Sequence, residues 1–309
     1  MFDKMVFSAN IPDTDIRRIA ESNHLQRCTE GIEEYWQSTQ YGNFEGIYIR
    51  IKRGKLTIKC SLHKIFYKAE YGKLDNSRLF TLNDALSMII TLFEMLKVDR
   101  KIVKVTYYEI GLNLPVEDDP LSYIEMMGYI GRDKERKMFN DPNYDEDRQH
   151  ITEKKKNIKK ILKAYDKGHE MRTKGKEVEQ NILRIETIYR RQSIPLLSLT
   201  SHDYLVKVTN RFYRDWITVD FPKRIIPDKG MKSSQITMAV NLMNIGREGY
   251  YKANKLAYKN REITKKQWET IRVFIHSWDT IKERFRFVPG EKETDYRKSL
   301  SEIYQLATF

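Results

Sequence analysis

"KNIKKILKAYD" (156–166) has the composition of a β-strand, and its reading decides the fold. Strand side chains alternate, so Ile161, Lys163, Tyr165 and Lys167 are expected on one face, with Leu162 and Ala164 on the other. Downstream, "NILRIETIYRR" (181–191) reads as a second strand, and the two form a hairpin with a long, polar, glycine-bearing connection. Upstream, "EGIYIRIKRGKLTIKC" (45–60) alternates apolar and polar residues on both sides of Arg53-Gly54, which predicts another hairpin. "RLFTLNDALSMIITLFEMLK" (78–97) has helical spacing, with Thr81 as N-cap and Asp84 in the first turn. "IVKVTYYEIGLNLP" (102–115) returns to strand composition, and "DPLSYIEMM" after it suggests a short helix.

Together these segments predict an α+β fold, an antiparallel sheet with packed helices, over residues 1–195. Within it, residues 132–150 are polar and of both charges, and read as an exposed loop. After Pro195 the character changes. Residues 198–217, 233–259 and 263–284 carry apolar side chains at helical spacing, so 196–309 is expected to be a helical domain that binds DNA or a partner.

The chain has 309 residues, 40% of them apolar, enough for a folded core. Its net charge is +13, which points to a polyanionic partner, because Lys and Arg at phosphates release counterions. A merely basic protein is the alternative. The distribution favours the partner: residues 151–195 hold 13 Lys and Arg against six acids, more than half of the excess charge in one segment. Lys154, Lys155, Lys156, Lys159, Lys160, Lys163, Arg184, Arg190 and Arg191 are the expected nucleic-acid contacts, with single strands preferred because nearby Tyr165 and Tyr189 offer rings for unpaired bases. Cys28 and Cys60 have no CxxC spacing, which argues against a disulfide framework or cysteine zinc site and fits a reducing cytoplasm. No stretch has the length and apolarity of a membrane span, so no membrane partner is expected. The histidines are scattered, and no glycine-rich phosphate loop supports an ATP-driven helicase.

Tyr165, flanked by lysines, is oddly placed for a core and well placed to meet a phosphate. Neighbouring cations are expected to favour its phenolate. Glu109 in "TYYEIGLN" and Glu186 in "LRIETIY" are each a lone acid in an apolar strand, where an unpaired carboxylate is costly. For either acid alone, a salt bridge to Lys or Arg is the simpler account. Both together, beside that tyrosine, point to a site for Mg²⁺ or Mn²⁺, with Glu170 a further candidate ligand.

Taken in order, these segments resemble the gene II-type replication initiators of filamentous bacteriophages and, more distantly, plasmid rolling-circle initiators. "MFDKMVF" is similar to that family's first strand, and "GIYIRIKRGKLTIKCSLHKIFY" with "LFTLNDALSMIITLFEML" to its hairpin, strand and helix. "AYDKGHE" resembles its tyrosine segment, which sets Tyr165 on the nicking tyrosine, Lys167 on its lysine and Glu170 on its acid. "ILRIETIYRR" sets Glu186 on the family's Arg-Phe-Glu acid. "VTYYEIGLNLP" departs from the family's Arg-Ile-Asp core: Glu109 replaces the aspartate and no arginine precedes it.

The resemblance implies a metal-dependent, site-specific nicking and closing enzyme that attaches a 5′-phosphate to Tyr165 and leaves a free 3′-hydroxyl. It implies an origin DNA as partner, with a host helicase and polymerase, in the cytoplasm of a bacterial host. The competing expectation is a catalytically inactive, single-stranded-DNA-binding replication regulator; RNA binding rests on the same charge.

Overall fold

The computed structural model describes residues 1–39, 45–131, 136–140, 148–152 and 157–308. The chain is an α+β fold built on one large antiparallel sheet. Its strands are β1 (Phe2–Asn10), β2 (Gln26–Glu30), β3 (Glu33–Gln37), β4 (Ile47–Lys52), β5 (Lys55–Ser61) and β6 (Lys104–Pro115), then, after the short pair β7 (Tyr129–Ile130) and β8 (Arg136–Lys137), β9 (Phe139–Asn140), β10 (Gln149–Ile151), β11 (Lys160–Asp166), β12 (Ile182–Tyr189) and β13 (Ile194–Pro195). They lie in the order β2-β3-β4-β5-β1-β6-β12-β11-β10-β9, with β13 also paired to β6. β11 and β12 are antiparallel neighbours, as the hairpin reading expects, and β12 pairs on its other side with β6.

Helices α1 (Asp13–Ser22), α2 (Leu62–Tyr71), α3 (Leu82–Leu96), α4 (Pro120–Ile124), α5 (Lys167–Thr173), α6 (Leu196–Leu199) and α7 (His202–Trp216) connect or cover these strands. Thr81 caps α3 in a capping box with Asp84, satisfying donors that a helix start leaves open. β1, β4 and β5 alternate buried with more exposed positions, whereas β12 is buried along almost its whole length. Met5, Phe7, Ile49, Ile58, Ile110, Leu112, Leu183 and Ile185 are all buried. Phe7 meets Phe93 of α3 edge-on at 5.1 Å, and Trp216 of α7 donates from Nε1 to Thr187 Oγ1 at 3.0 Å. These contacts mark the helix-covered apolar face.

The chain divides into two compact units, Met1–Asp220 with Asp295–Phe309, and Phe221–Thr294. The change of character at Pro195 therefore falls inside the first unit, because α7 packs back onto the sheet through Trp216. The second unit contains α8 (Ser233–Lys259), α9 (Lys265–His276), α10 (Trp278–Ile281) and the paired strands β14 (Arg224–Pro227) and β15 (Phe285–Val288). Ala239, Leu242, Phe274, Ile275 and Phe285 form its core. The helical reading of 196–309 holds, with only the short pair β14 and β15 added to the helices among the described residues, too brief for a period-two pattern to register. The last helix, α11 (Glu291–Thr308), belongs to the first unit from Asp295 on.

The loop expected over 132–150 is corrected in part. Residues 136–137, 139–140 and 149–150 lie in strands, Met138 and Gln149 are buried, and residues 132–135 and 141–147 lie outside the described set. Among the described residues, no helix is long and apolar enough to cross a membrane.

Candidate active site

The face of the sheet opposite α3 and α7 carries the polar residues of the central strands. On β12 these are Arg184 and Glu186, on β6 Tyr107, Glu109, Gly111 and Asn113, and on β11 Lys163 and Tyr165. Register does the gathering: Tyr165 pairs with Arg184, Lys163 with Glu186, Glu186 with Gly111, and Arg184 with Asn113. β1 adds Asp3 and Lys4. A register shift between Phe2 and Met5 turns both to this side, Asp3 onto Arg184 and Lys4 over the Tyr107 ring.

Arg184 is the hub. It is only 2% exposed, yet its guanidinium donates to Glu186 Oε1 at 2.6 Å, to Asn113 Oδ1 at 2.8 Å and to Asp3. A buried guanidinium is tolerable only when its donors are met in this way. Asp3 also accepts from Ser61 and Asn76. Burial pushes the Asp3 carboxyl up, but Arg184 and these bonds outweigh it and hold it at about 2. Gly111 leaves room for the hub: a Cβ there would sit 3.0 Å from Arg184 Nη2 and 3.1 Å from Glu186 Cγ. Arg184 is thus a buried organiser, not the exposed nucleic-acid contact its charge suggested.

Tyr165 is half-buried, and its hydroxyl donates to Glu186 Oε1 at 3.2 Å, the oxygen that Arg184 also grips. Lys163 Nζ lies 4.2 Å and Lys167 Nζ 6.0 Å from the centre of the Tyr165 ring. Both ammonium groups therefore sit over the ring. Burial and the Glu186 carboxylate together raise the phenol well above its usual range, opposite to the phenolate expected from flanking lysines. The proton of Tyr165 has the Glu186 carboxylate to go to.

The backbone after Tyr165 also differs from a continued strand. Asp166 accepts from His169 N at 2.8 Å and caps α5, which makes Lys167 the first helical residue and not the next strand position. Arg148 Nη1 braces the same cap through Asp166 Oδ2 at 2.7 Å. Lys167 is buried and donates to Glu170 Oε2 at 2.7 Å, while Lys174 holds the other Glu170 oxygen. Burial works against the Glu170 carboxylate, but the two lysines bring it down to about 2. With both oxygens committed, Glu170 does not fit the role of metal ligand.

Glu109 accepts from Tyr107 and is pushed up to about 7, first by burial and then by the Glu186 charge. Two carboxylates that repel one another on a partly enclosed face are a plausible pair for a divalent ion, which would relieve that repulsion. They are a pair and no more: among the described residues, no group of three or more His, Cys, Asp or Glu is arranged to hold a metal. His63 lies nearby but is stacked on Phe80 at 4.6 Å, and burial pulls its imidazole down to about 3.

The remaining expected contacts divide. Lys159 and Arg191 are exposed and Arg190 half-buried, whereas Lys160 turns to the helix-covered face and pairs with Asp215 of α7. Lys154, Lys155 and Lys156 lie outside the described residues. Sequence reasoning missed Asp3, Gly111 and Asn113. Period-two spacing links Arg184 to Glu186 and Gly111 to Asn113 and Glu109, but the partner strand remains hidden until register is known.

No family profile matches the sequence, and no curated protein is significantly similar to it. Among solved structures, the chain is similar to a rolling circle replication initiator protein from Geobacillus stearothermophilus, at 9% identity and a TM-score of 0.35, over 74% of this chain and 89% of that one. That likeness is too distant to bear on the chemistry, which rests on the geometry of the polar face.

Proposed function

We propose that this chain is a replication initiator of the gene II-like, rolling-circle kind, which nicks and rejoins one DNA strand through Tyr165. The observation that carries the reading is the Tyr165 hydroxyl 3.2 Å from a Glu186 carboxylate that Arg184 orients through its Nε at 2.6 Å. This is the nucleophile, base and orienting group that covalent catalysis requires.

In the step, Tyr165 Oη bonds to phosphorus as its proton passes to Glu186, and the bond from phosphorus to the 3′ oxygen breaks. The departing 3′ oxygen takes up a proton and becomes a free hydroxyl. Water supplies that proton, because Glu109, whose carboxyl burial and the Glu186 charge push up, has to be ionised to hold a metal. Return attack by a 3′-hydroxyl reverses each transfer, so rejoining needs no ATP. A Mg²⁺ or Mn²⁺ ion held by Glu109 and Glu186 would supply Lewis-acid charge at the non-bridging oxygens. Lys163, over the ring, and Lys167 place positive charge beside the phosphate path.

The test uses a pool of labelled single-stranded oligonucleotides with Mn²⁺. Cleavage with a covalent adduct is expected in the parent, none in Tyr165→Phe, and at least about a hundredfold less in Glu186→Gln. One observation favours a second reading, a single-strand-binding replication regulator without chemistry: burial raises the Tyr165 phenol instead of priming it. Binding unchanged by Tyr165→Phe, with no adduct in any metal, selects that reading.

A further inference from the structure

A second basic cluster lies on the opposite face of the sheet. α7 presents Tyr204, Lys207 and Arg211 on one line, and the start of β11 brings Lys159 and Lys160 beside them. Between them opens a cavity of about 340 Å³, floored by Tyr108 and Tyr189, whose rings stack at 4.6 Å. Lys159, Lys207 and Arg211 are exposed, and none has an ion pair among the described residues. Asp215, whose charge reaches Tyr189, is paired with Lys160. Arg136 adds charge close enough to depress Lys160 further, after burial and Arg211.

The floor supplies the independent sign of a ligand. Tyr108 Oη and Tyr204 Oη satisfy one another at 3.1 Å. Tyr189 does not share in this. It is 6% exposed, lines the cavity, and its hydroxyl has no hydrogen-bond partner among the described residues. A buried hydroxyl left unpaired is costly and rare, so a group that accepts its proton is the expected complement. Three uncommitted cations around one buried donor match an acceptor with several charged oxygens.

We propose that this cavity is a phosphate-binding site, separate from Tyr165, in which Tyr189 donates to a phosphate oxygen while Lys159, Lys207 and Arg211 offset the charge of two linked phosphates. Linked phosphates come from a free pyrophosphate or nucleotide, or from successive phosphates of a DNA strand, and the test separates the two sources. The full chain is titrated calorimetrically with pyrophosphate and, separately, with a short single-stranded oligonucleotide.

The Lys207→Glu/Arg211→Glu double variant, at exposed positions, is expected to weaken pyrophosphate binding at least about tenfold, and Tyr189→Phe about threefold. A charge-matched control, Lys265→Glu/Lys266→Glu in the second unit, leaves it unchanged. If the parent binds only the oligonucleotide, and the double variant weakens that binding more than the control does, the phosphates are those of DNA. Tyr165→Phe is expected to leave the pyrophosphate titration unchanged, so failure of the nicking reading leaves this one standing. The proposal is overturned if pyrophosphate does not bind and the double variant and control affect the oligonucleotide equally.

Discussion

The two faces of one sheet, a few ångströms apart across β12, solve opposite problems. On one, Leu183, Ile185 and Thr187 lie under helices and are held by packing and a Trp216 bond. On the other, Arg184 and Glu186 are as thoroughly buried, yet every strong contact is ionic or polar. The apolar face depends on volume, whereas the polar face depends on completeness, because one missing partner strands a buried charge.

That contrast can be broken most forcefully at its hub. Arg184→Met leaves Asp3 and Glu186 buried without their cation, and is expected to cost about 3–5 kcal/mol in urea unfolding. On the other face, Ile185→Ala is expected to cost about 2–4 kcal/mol by opening a cavity, while leaving cleavage per folded molecule intact. If the two substitutions depress cleavage alike, the faces are not separable as described.

Glu109 sharpens the comparison through pH. Its carboxyl titrates at about 7 when folded against 4.5 ordinarily, so the folded state binds its proton more tightly than the unfolded state. Its contribution is then complete below about pH 4.5 and is lost as pH rises through about 7, on the order of 3 kcal/mol. Unfolding profiles of Glu109→Gln should lack that decline. Mn²⁺ should raise the melting temperature of the parent at neutral pH and fail to do so in Glu109→Gln, which reads the metal without reading activity.

Gly111→Ala presses on Arg184 and Glu186 from beneath and is expected to cost about 1–3 kcal/mol. The smallest effect belongs to Lys163→Ala. Removing one phosphate contact should weaken binding across all sequences and flatten the salt dependence of single-strand affinity by about 0.7 in logarithmic slope, with stability nearly unchanged.

Much of the fold was legible in strand alternation and helix caps: the 45–60 hairpin, the helix starting after Thr81, and the pairing of β11 with β12 all follow from local pattern. Tyr165, Glu186 and Glu109 could be singled out for the same reason, each being a polar intruder in an apolar run. What could not be read was which of them share an oxygen. Asp3 lies 181 residues from Arg184, and only strand order brings them together. The direction of the Tyr165 shift was hidden as well, since flanking lysines in sequence turned out to lie over the ring, and a helix cap at Asp166 moved Lys167 out of the strand.

The most direct measurement is mass mapping of the protein after incubation with single-stranded DNA and Mn²⁺. A nucleotide phosphate esterified to Tyr165, released when a 3′-hydroxyl strand is added, is the predicted result. An adduct on a different tyrosine, or none while DNA is still cut, would contradict the assignment of Tyr165 as the nucleophile.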